Sequence, residues 1–298
     1  MKKKKKRYKK KMRVLRVFCV LPLIALCFVG RRYQYHRVER NMEVPVLSEN
    51  TPHPSPIITI QKAETGEGKN KITYFLADIK LGDASDLRTA FAQNRYGLNI
   101  KDTVSDMAQE HRADFAVNGD YYGCRKNGIV IRNGVLYRSE PSDRECFVMY
   151  RDGTADVVQE KRATGNALLK DGAWNVFSFG PVLVEDGKIR QNLDKPYKVD
   201  FLTGSISGKE PRTGIGVIEK NHFLIIAVDG RAEGYSCGMT FREFAQLFSD
   251  YGCKLAYNLD GGRSVTMYQY GQIMNQPCAG EERRISDMIY IGKGEENN

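Results

Sequence analysis

Three short stretches of this chain set an acid or an amide beside glycine at the end of an apolar run: Asn118-Gly119-Asp120, Asp229-Gly230-Arg231 and Asn258-Leu259-Asp260-Gly261-Gly262. Phe115-Ala116-Val117, Phe223 to Val228 and Leu255-Ala256-Tyr257 lead into them. An amide or carboxylate at the mouth of a buried strand is costly to leave unpaired, so it is either satisfied internally or used on a ligand. Glycine beside it lets the backbone turn sharply and lets a ligand come close. Three strands that end alike in this way read as one site.

The elements that must carry these tips are mostly strands joined by tight turns. Asn133-Gly134, Asp152-Gly153, Asp186-Gly187 and Lys220-Asn221 each follow an apolar run. Asn-Gly and Asp-Gly suit two-residue hairpin turns, whose central residues need positive φ. Strands are also expected over Ile57 to Ile60 and Ile72 to Ala77. Helices are few. Phe241, Phe244, Ala245 and Phe248 repeat with the spacing of a core-facing helix over Phe241 to Asp250, and Thr240 with Glu243 makes a capping box. Further helices are expected over Ser85 to Asn94 and Thr103 to His111. The fold class is α+β, a largely antiparallel or mixed sheet with a few packed helices, in one domain over residues 57–293.

The chain has 298 residues and a net charge of +10, which is unevenly placed. Residues 1–40 hold fifteen Lys/Arg and one acid, so the remainder is acidic at −4. A nucleic-acid partner is therefore excluded, since its basic surface should lie on the fold itself. Residues 1–16 read as a basic cytoplasmic tail and 17–30 as a membrane anchor or signal segment. The excess of positive charge before this segment puts the N-terminus in the cytoplasm and the domain outside, anchored, or secreted if the segment is cleaved. The proline-dense stretch 31–56 reads as a stem, and 294–298 as a tail. Of seven cysteines, Cys19 and Cys27 lie in or beside the apolar run; Cys124, Cys146, Cys237, Cys253 and Cys278 lie beyond it. No Cys/His cluster suggests zinc, and one or two disulfides are compatible with an oxidising compartment.

Five motifs occur in order: Asn118-Gly119-Asp120-Tyr121-Tyr122, Pro211-Arg212-Thr213-Gly214-Ile215-Gly216, Val228-Asp229-Gly230-Arg231, Gly238-Met239-Thr240 and Asn258-Leu259-Asp260-Gly261-Gly262. Arg284-Ile285-Ser286-Asp287 closes the series. It resembles the phosphodiester glycosidase family over about residues 72–292. The family's usual turn reads Asp-Gly-Gly-Gly-Ser-Ser-Thr-Met. Here Arg263 stands for the third glycine and Val265 for the second serine, within Asp260 to Met267. An arginine there could grip a phosphate bidentately or fill the space a sugar needs.

The resemblance implies hydrolysis of sugar 1-phosphodiesters, with a phosphosugar or envelope polysaccharide as substrate. Phosphate is a good leaving group, so neutralising its charge matters more than protonating it. Arg212 and Arg231, with Arg263, are the cations for that role. Asp260, then Asp229, then Asp120 are the candidates to activate water or stabilise the positive ring. Asn118 and Asn258 would bind sugar hydroxyls or orient a carboxylate, and Gly261, Gly262, Ser264 and Thr266 complete the binding turn. No cofactor is expected; a Ca²⁺ or Mg²⁺ ion at the carboxylates is not favoured. Plainer roles stand beside these: Asp229-Gly230 as a turn, Arg212 in an ion pair, Glu243 as a helix cap. Two other functions stay open. One is a non-catalytic glycan-binding or exopolysaccharide assembly factor, and the other a metal-dependent phosphodiesterase.

Overall fold

Phe223 to Val228 is apolar at every position, a pattern that needs cover on both faces of its sheet. It has that cover. In the computed structural model, which describes residues 40–42, 53–195, 197 and 206–292, this run forms an interior strand of a seven-stranded sheet. We number its strands with the rest in chain order: β1 (Ile57–Thr65), β2 (Ile72–Lys80), β3 (Arg88–Phe91), β4 (Ala113–Asn118), β5 (Val130–Arg132) and β6 (Val135–Arg138). They continue with β7 (Glu145–Tyr150), β8 (Ala155–Gln159), β9 (Ala173–Phe177), β10 (Val182–Glu185) and β11 (Lys188–Ile189). The last six are β12 (Arg212–Glu219), β13 (His222–Val228), β14 (Leu255–Asn258), β15 (Met267–Gln269), β16 (Gln272–Ile273) and β17 (Asp287–Gly292).

The seven-stranded sheet has the order β11-β10-β14-β12-β13-β2-β1. Two five-stranded sheets have the orders β16-β15-β4-β17-β3 and β8-β7-β9-β5-β6. Neighbours within all three pair antiparallel. One core lies among the sheets: Phe223, Ile225 and Ala227 of β13 meet Phe115 and Val117 of β4 and Phe147 and Phe177 of β7 and β9. Alternate residues Leu224, Ile226 and Val228 face the other way, onto Phe241, Phe244 and Phe248 of a helix. The α+β class is as expected from the sequence, and Asn41–Asn298 forms one compact unit.

Each sheet carries one helix on its outer face. α1 (Val104–Glu110) packs Val104, Met107 and Ala108 against Ala116 and Met288. α2 (Gly165–Lys170) sets Leu168 on Ile131 and Val148. α3 (Phe241–Asp250) has the capping box read from Thr240 and Glu243, with both reciprocal bonds present. Gly214 and Gly216 of β12 admit its aromatic rings. A Cβ on Gly214 would meet Phe244 at 2.8 Å, and one on Gly216 would meet Cys253 and Phe248 at 2.6 Å.

The helix expected over Ser85 to Asn94 does not form. Ala84–Asp86 is a single 3₁₀ turn capped by Asp83, and Arg88–Phe91 is the edge strand beside β17. Tertiary hydrogen bonds decide this. Thr89 exchanges backbone bonds with the Asn133 side chain at 2.8 Å each, and Leu87 O accepts from Trp174 Nε1 and Asn175 Nδ2. Local helix propensity is too weak to compete with a set of buried bonds of this kind. The expected tail 1–16, anchor segment 17–30, C-terminal tail 294–298 and nearly all of the stem lie outside the described residues. Among the described residues no helix is long and apolar enough to cross a membrane.

Candidate active site

The antiparallel register brings the motif-bearing strand ends to one edge. Asn258, the last residue of β14, pairs with Gly214, and Val228, the last of β13, pairs with Arg212, the first of β12. Asn118, the last of β4, ties the second sheet to them. Its Nδ2 donates to Asp260 O at 2.8 Å, and its Oδ1 accepts from Thr213 Oγ1 at 2.8 Å and Thr266 N at 3.3 Å. Gly262 N donates to Pro211 O at 2.9 Å. Gly261 must be glycine for that approach, because a Cβ would sit 2.7 Å from Pro211 O. The Asp260 tip is therefore pinned from both sheets before any ligand arrives.

This tip walls a cavity of about 310 Å³. Its acids are Asp260 and Glu210, and its cations are Arg212, Arg231, Arg263 and Arg283. Tyr121, Phe179 and Ile206 supply apolar surface, with Asn258, Gly261 and Gly262 on the remaining wall. That volume holds a small molecule or one small segment of a longer one.

Burial pushes the Asp260 carboxyl up to about 6, against the pull of the Ser264 hydroxyl, Arg283, Arg125 and the Gly261 N–H. Its Oδ1 accepts from Gly261 N at 3.0 Å. Arg283 spans the wall beside it, donating to Tyr121 Oη at 3.0 Å and Ser264 Oγ at 3.3 Å. Arg231 donates Nε to Glu210 Oε2 at 2.6 Å. Arg212 is 2% exposed, and its guanidinium lies 3.9 Å from the Phe241 ring centre. Its Nε and Nη2 donate to the carbonyls of Met239, Ile206 and Gly208, which leaves Nη1 without a partner among the described residues. Burial lowers its pKa to about 10, so it stays charged at neutral pH. A desolvated cation with no carboxylate bonded to it, facing a cavity, is an anion-binding arrangement.

The other two sequence-selected acids do not line this cavity. Asp120 is fully buried and saturated: Arg132 Nη2 donates to it at 2.8 Å, Ser178 N at 2.7 Å and Tyr122 N at 3.1 Å. Burial works against its charge, but Arg132 and Arg125 outweigh it and hold its pKa below the usual range. Asp229 accepts from Asn275 Nδ2 at 2.9 Å, Tyr235 Oη at 2.9 Å and Gln276 N at 3.0 Å. Both of its oxygens are thus engaged, and it organises the turn after β13. Asp229→Asn is accordingly expected to keep kcat within about fivefold while costing about 1–3 kcal/mol of stability. Parallel rate measurements and denaturant melts check this; a thousandfold loss of rate with the fold intact would make Asp229 catalytic.

Asn118 and Thr266 act behind the wall as cross-links, and Ser264 as the partner of Arg283 and Asp260. Arg263 is exposed at the cavity mouth. Sequence reasoning passed over Glu210 and Arg283, although each stands directly beside a quoted motif. It also passed over Arg132, which no motif marks. Cys124, Cys146, Cys237, Cys253 and Cys278 are free thiols, so the disulfides compatible with the sequence do not form among them. No group of three or more His, Cys, Asp or Glu able to hold a metal occurs among the described residues.

A family model for phosphodiester glycosidases matches residues 111–292. The SPbeta prophage-derived uncharacterized protein YomE of Bacillus subtilis (strain 168) is 33% identical over 205 residues, 66% of this chain and 30% of that protein. The chain thus spans under a third of the length of the curated relative it matches. Among solved structures it is similar to the zebrafish N-acetylglucosamine-1-phosphodiester alpha-N-acetylglucosaminidase catalytic domain auto-inhibited by its pro-peptide, with a TM-score of 0.65 and 18% identity, covering 86% of this chain and 87% of that one. A hypothetical protein from Synechocystis follows, at TM-score 0.60 and 15% identity over 78% of this chain and 62% of the other. A putative exported protein from Burkholderia pseudomallei K96243 gives 0.52 and 15% over 74% of each. At these identities the structural likeness speaks for the fold. The family match does more, since its span holds the whole run from β4 to β17 and with it Asn118, Arg212 and Asp260: the chain belongs to the phosphodiester glycosidase family.

Proposed function

We propose that this chain is a hydrolase that cleaves the glycosidic bond of sugar 1-phosphodiesters in a cell-envelope or exported polysaccharide, outside the membrane. The observation that carries the reading is the cavity itself. One carboxyl group pushed up to about 6 by burial, Asp260, shares it with a buried guanidinium, Arg212, whose Nη1 has no partner among the described residues. Family membership supports a glycosidase-type function. The exported placement rests on the basic, apolar N-terminal sequence.

The chemistry follows from these groups. The C1–O bond to phosphate breaks, the ring develops oxocarbenium character, and the phosphomonoester leaves with the bonding pair. Arg212 Nη1, backed by Arg231, stabilises that departing charge in a low-dielectric wall. Ionised Asp260 takes a proton from water as its oxygen adds to C1, or faces the positive ring directly. Tyr121 and Phe179 offer flat surface to the sugar. Asn258 is buried, lines the cavity and keeps Oδ1 without a protein partner among the described residues, an acceptor for a sugar hydroxyl.

A panel of defined α- and β-linked sugar 1-phosphodiesters tests the reading with the purified chain. Release of free reducing sugar from at least one is expected. Absence of turnover across the panel, with glycan binding retained, would favour the assembly-factor alternative instead.

A further inference from the structure

The cavity wall carries more positive charge than one phosphodiester needs. Arg212, Arg231, Arg263 and Arg283 face only Glu210 and Asp260, a surplus of two positive charges when both acids are ionised. Two of the cations already have side-chain partners. Arg231 is bonded to Glu210 at 2.6 Å, and Arg283 donates to Tyr121 Oη at 3.0 Å and Ser264 Oγ at 3.3 Å. Arg212 and Arg263 are left over. Arg212 is buried against Phe241 and bonded only to carbonyls, while Arg263 is exposed and makes no hydrogen bond or ion pair among the described residues.

The two leftover cations differ in depth. Arg212 sits in the wall at 2% exposure, and Arg263 follows the Gly261-Gly262 turn at the mouth. The Arg231 guanidinium lies against that same turn, 3.3 Å from where a Cβ on Gly262 would be. A sugar 1-phosphodiester carries one negative charge, which answers Arg212. Arg263 would then still face the ligand unpaired.

We infer that the cavity is built for a substrate bearing a second negative charge beyond the scissile phosphodiester, with the scissile phosphate on Arg212 and the second anion on Arg263. The inference rests on the reading of Arg212 given under Proposed function. A substrate of this kind is a segment of an anionic glycan, in which the next phosphate or a uronate carboxylate follows the cleaved bond. A bidentate guanidinium suits either oxyanion, and its exposed position favours a group that continues out of the cavity along a chain.

Calorimetric titration of the full chain at fixed ionic strength tests this without requiring turnover. The probes are dimethyl phosphate, with one charge, the bis(methyl phosphate) of propane-1,3-diol, with two, and its analogue carrying a carboxylate in place of the second phosphate. The bis-ester is expected to bind at least tenfold tighter than dimethyl phosphate. Arg263→Gln should collapse that ratio to below threefold. Arg284→Gln, an exposed arginine outside this cavity, should leave the ratio intact and so controls for bulk charge. A wild-type ratio below threefold overturns the inference, as does a ratio that survives Arg263→Gln or falls equally with Arg284→Gln. A gain with the carboxylate analogue supports any anion at the second position, and a gain with the bis-ester alone supports phosphate. Turnover of simple diesters without this discrimination sinks the two-anion cavity alone. Discrimination without any turnover sinks the catalytic reading alone.

Discussion

Asp260→Asn is expected to lower kcat for a sugar 1-phosphodiester by about 10³-fold or more, the scale of a lost acid–base or charge-stabilising group. It should also make the folded chain more stable at neutral pH. In the unfolded chain this carboxyl titrates near 3.8, and in the folded chain burial moves it to about 6. The folded state therefore holds the proton more tightly, so the contribution of Asp260 to stability falls as pH rises from about 4 to about 6. Above that the penalty is constant, with an upper bound of about 3 kcal/mol for such a shift. Asparagine does not titrate and escapes it. Urea melts at pH 7.5 should show the variant more stable than the parent, and the difference should vanish near pH 4. A phosphodiester stays ionised throughout, so the acid limb of kcat/KM near pH 6 belongs to the enzyme. Turnover falls below that pH if Asp260 acts as a carboxylate. A variant with unchanged turnover would remove Asp260 from the chemistry.

The second large effect is structural. Arg132→Met is expected to destabilise the fold by about 3–5 kcal/mol, the usual result of stranding buried charge. Arg132 is buried, with Nη2 donating to Asp120 Oδ1 and Asp287 Oδ2 at 2.8 Å each and Nη1 to the carbonyls of Val176 and Ile131. Its guanidinium stacks 4.6 Å from the Phe177 ring centre. Burial pushes the Asp287 carboxyl up, with Arg132 opposing and the Asp120 charge adding to the rise. Methionine fills much of the volume but leaves two acids facing each other in the dark. The loss should be largest at pH 7–8. It should shrink toward pH 4, where the variant can protonate both acids. Below about 1 kcal/mol at pH 7.5, the triad would not be a stabilising element. The triad matters to the site because Asp287 supports Gly119, where a Cβ would meet its carboxylate at 2.5 Å, and Gly119 O accepts from Asp260 N.

Much of this is legible in the sequence. The Phe241 stripe with its Thr240 and Glu243 cap defined a helix, since amphipathic spacing and capping agree there. The Asn133-Gly134 and Asp186-Gly187 turns carry positive φ at both central residues, as hairpin chemistry requires. Asp260 and Arg212 were legible because they sit in motifs at strand ends. Asp229 and Asp120 ranked behind Asp260 in sequence but stayed candidates, and what takes them out of the site is partners that come from elsewhere: Asn275 and Gln276 for one, Arg132 and Ser178 for the other. Such long-range satisfaction leaves no local pattern. The misread helix over Ser85 to Asn94 has the same cause, because Asn133 and Trp174 hold that segment as a strand edge. Arg132 was invisible for a related reason, as a buried arginine in a strand resembles an exposed one until its acids are known.

Bond cleavage is expected at the sugar carbon, beside Asp260 and Arg212, and not at phosphorus. Hydrolysis of a defined sugar 1-phosphodiester in ¹⁸O-enriched water, followed by mass analysis of both products, tests it most directly. Free sugar carrying one ¹⁸O at C1 and a phosphomonoester carrying none are the expected products. Sugar 1-phosphate as product, or ¹⁸O on the phosphate, would contradict cleavage at that carbon.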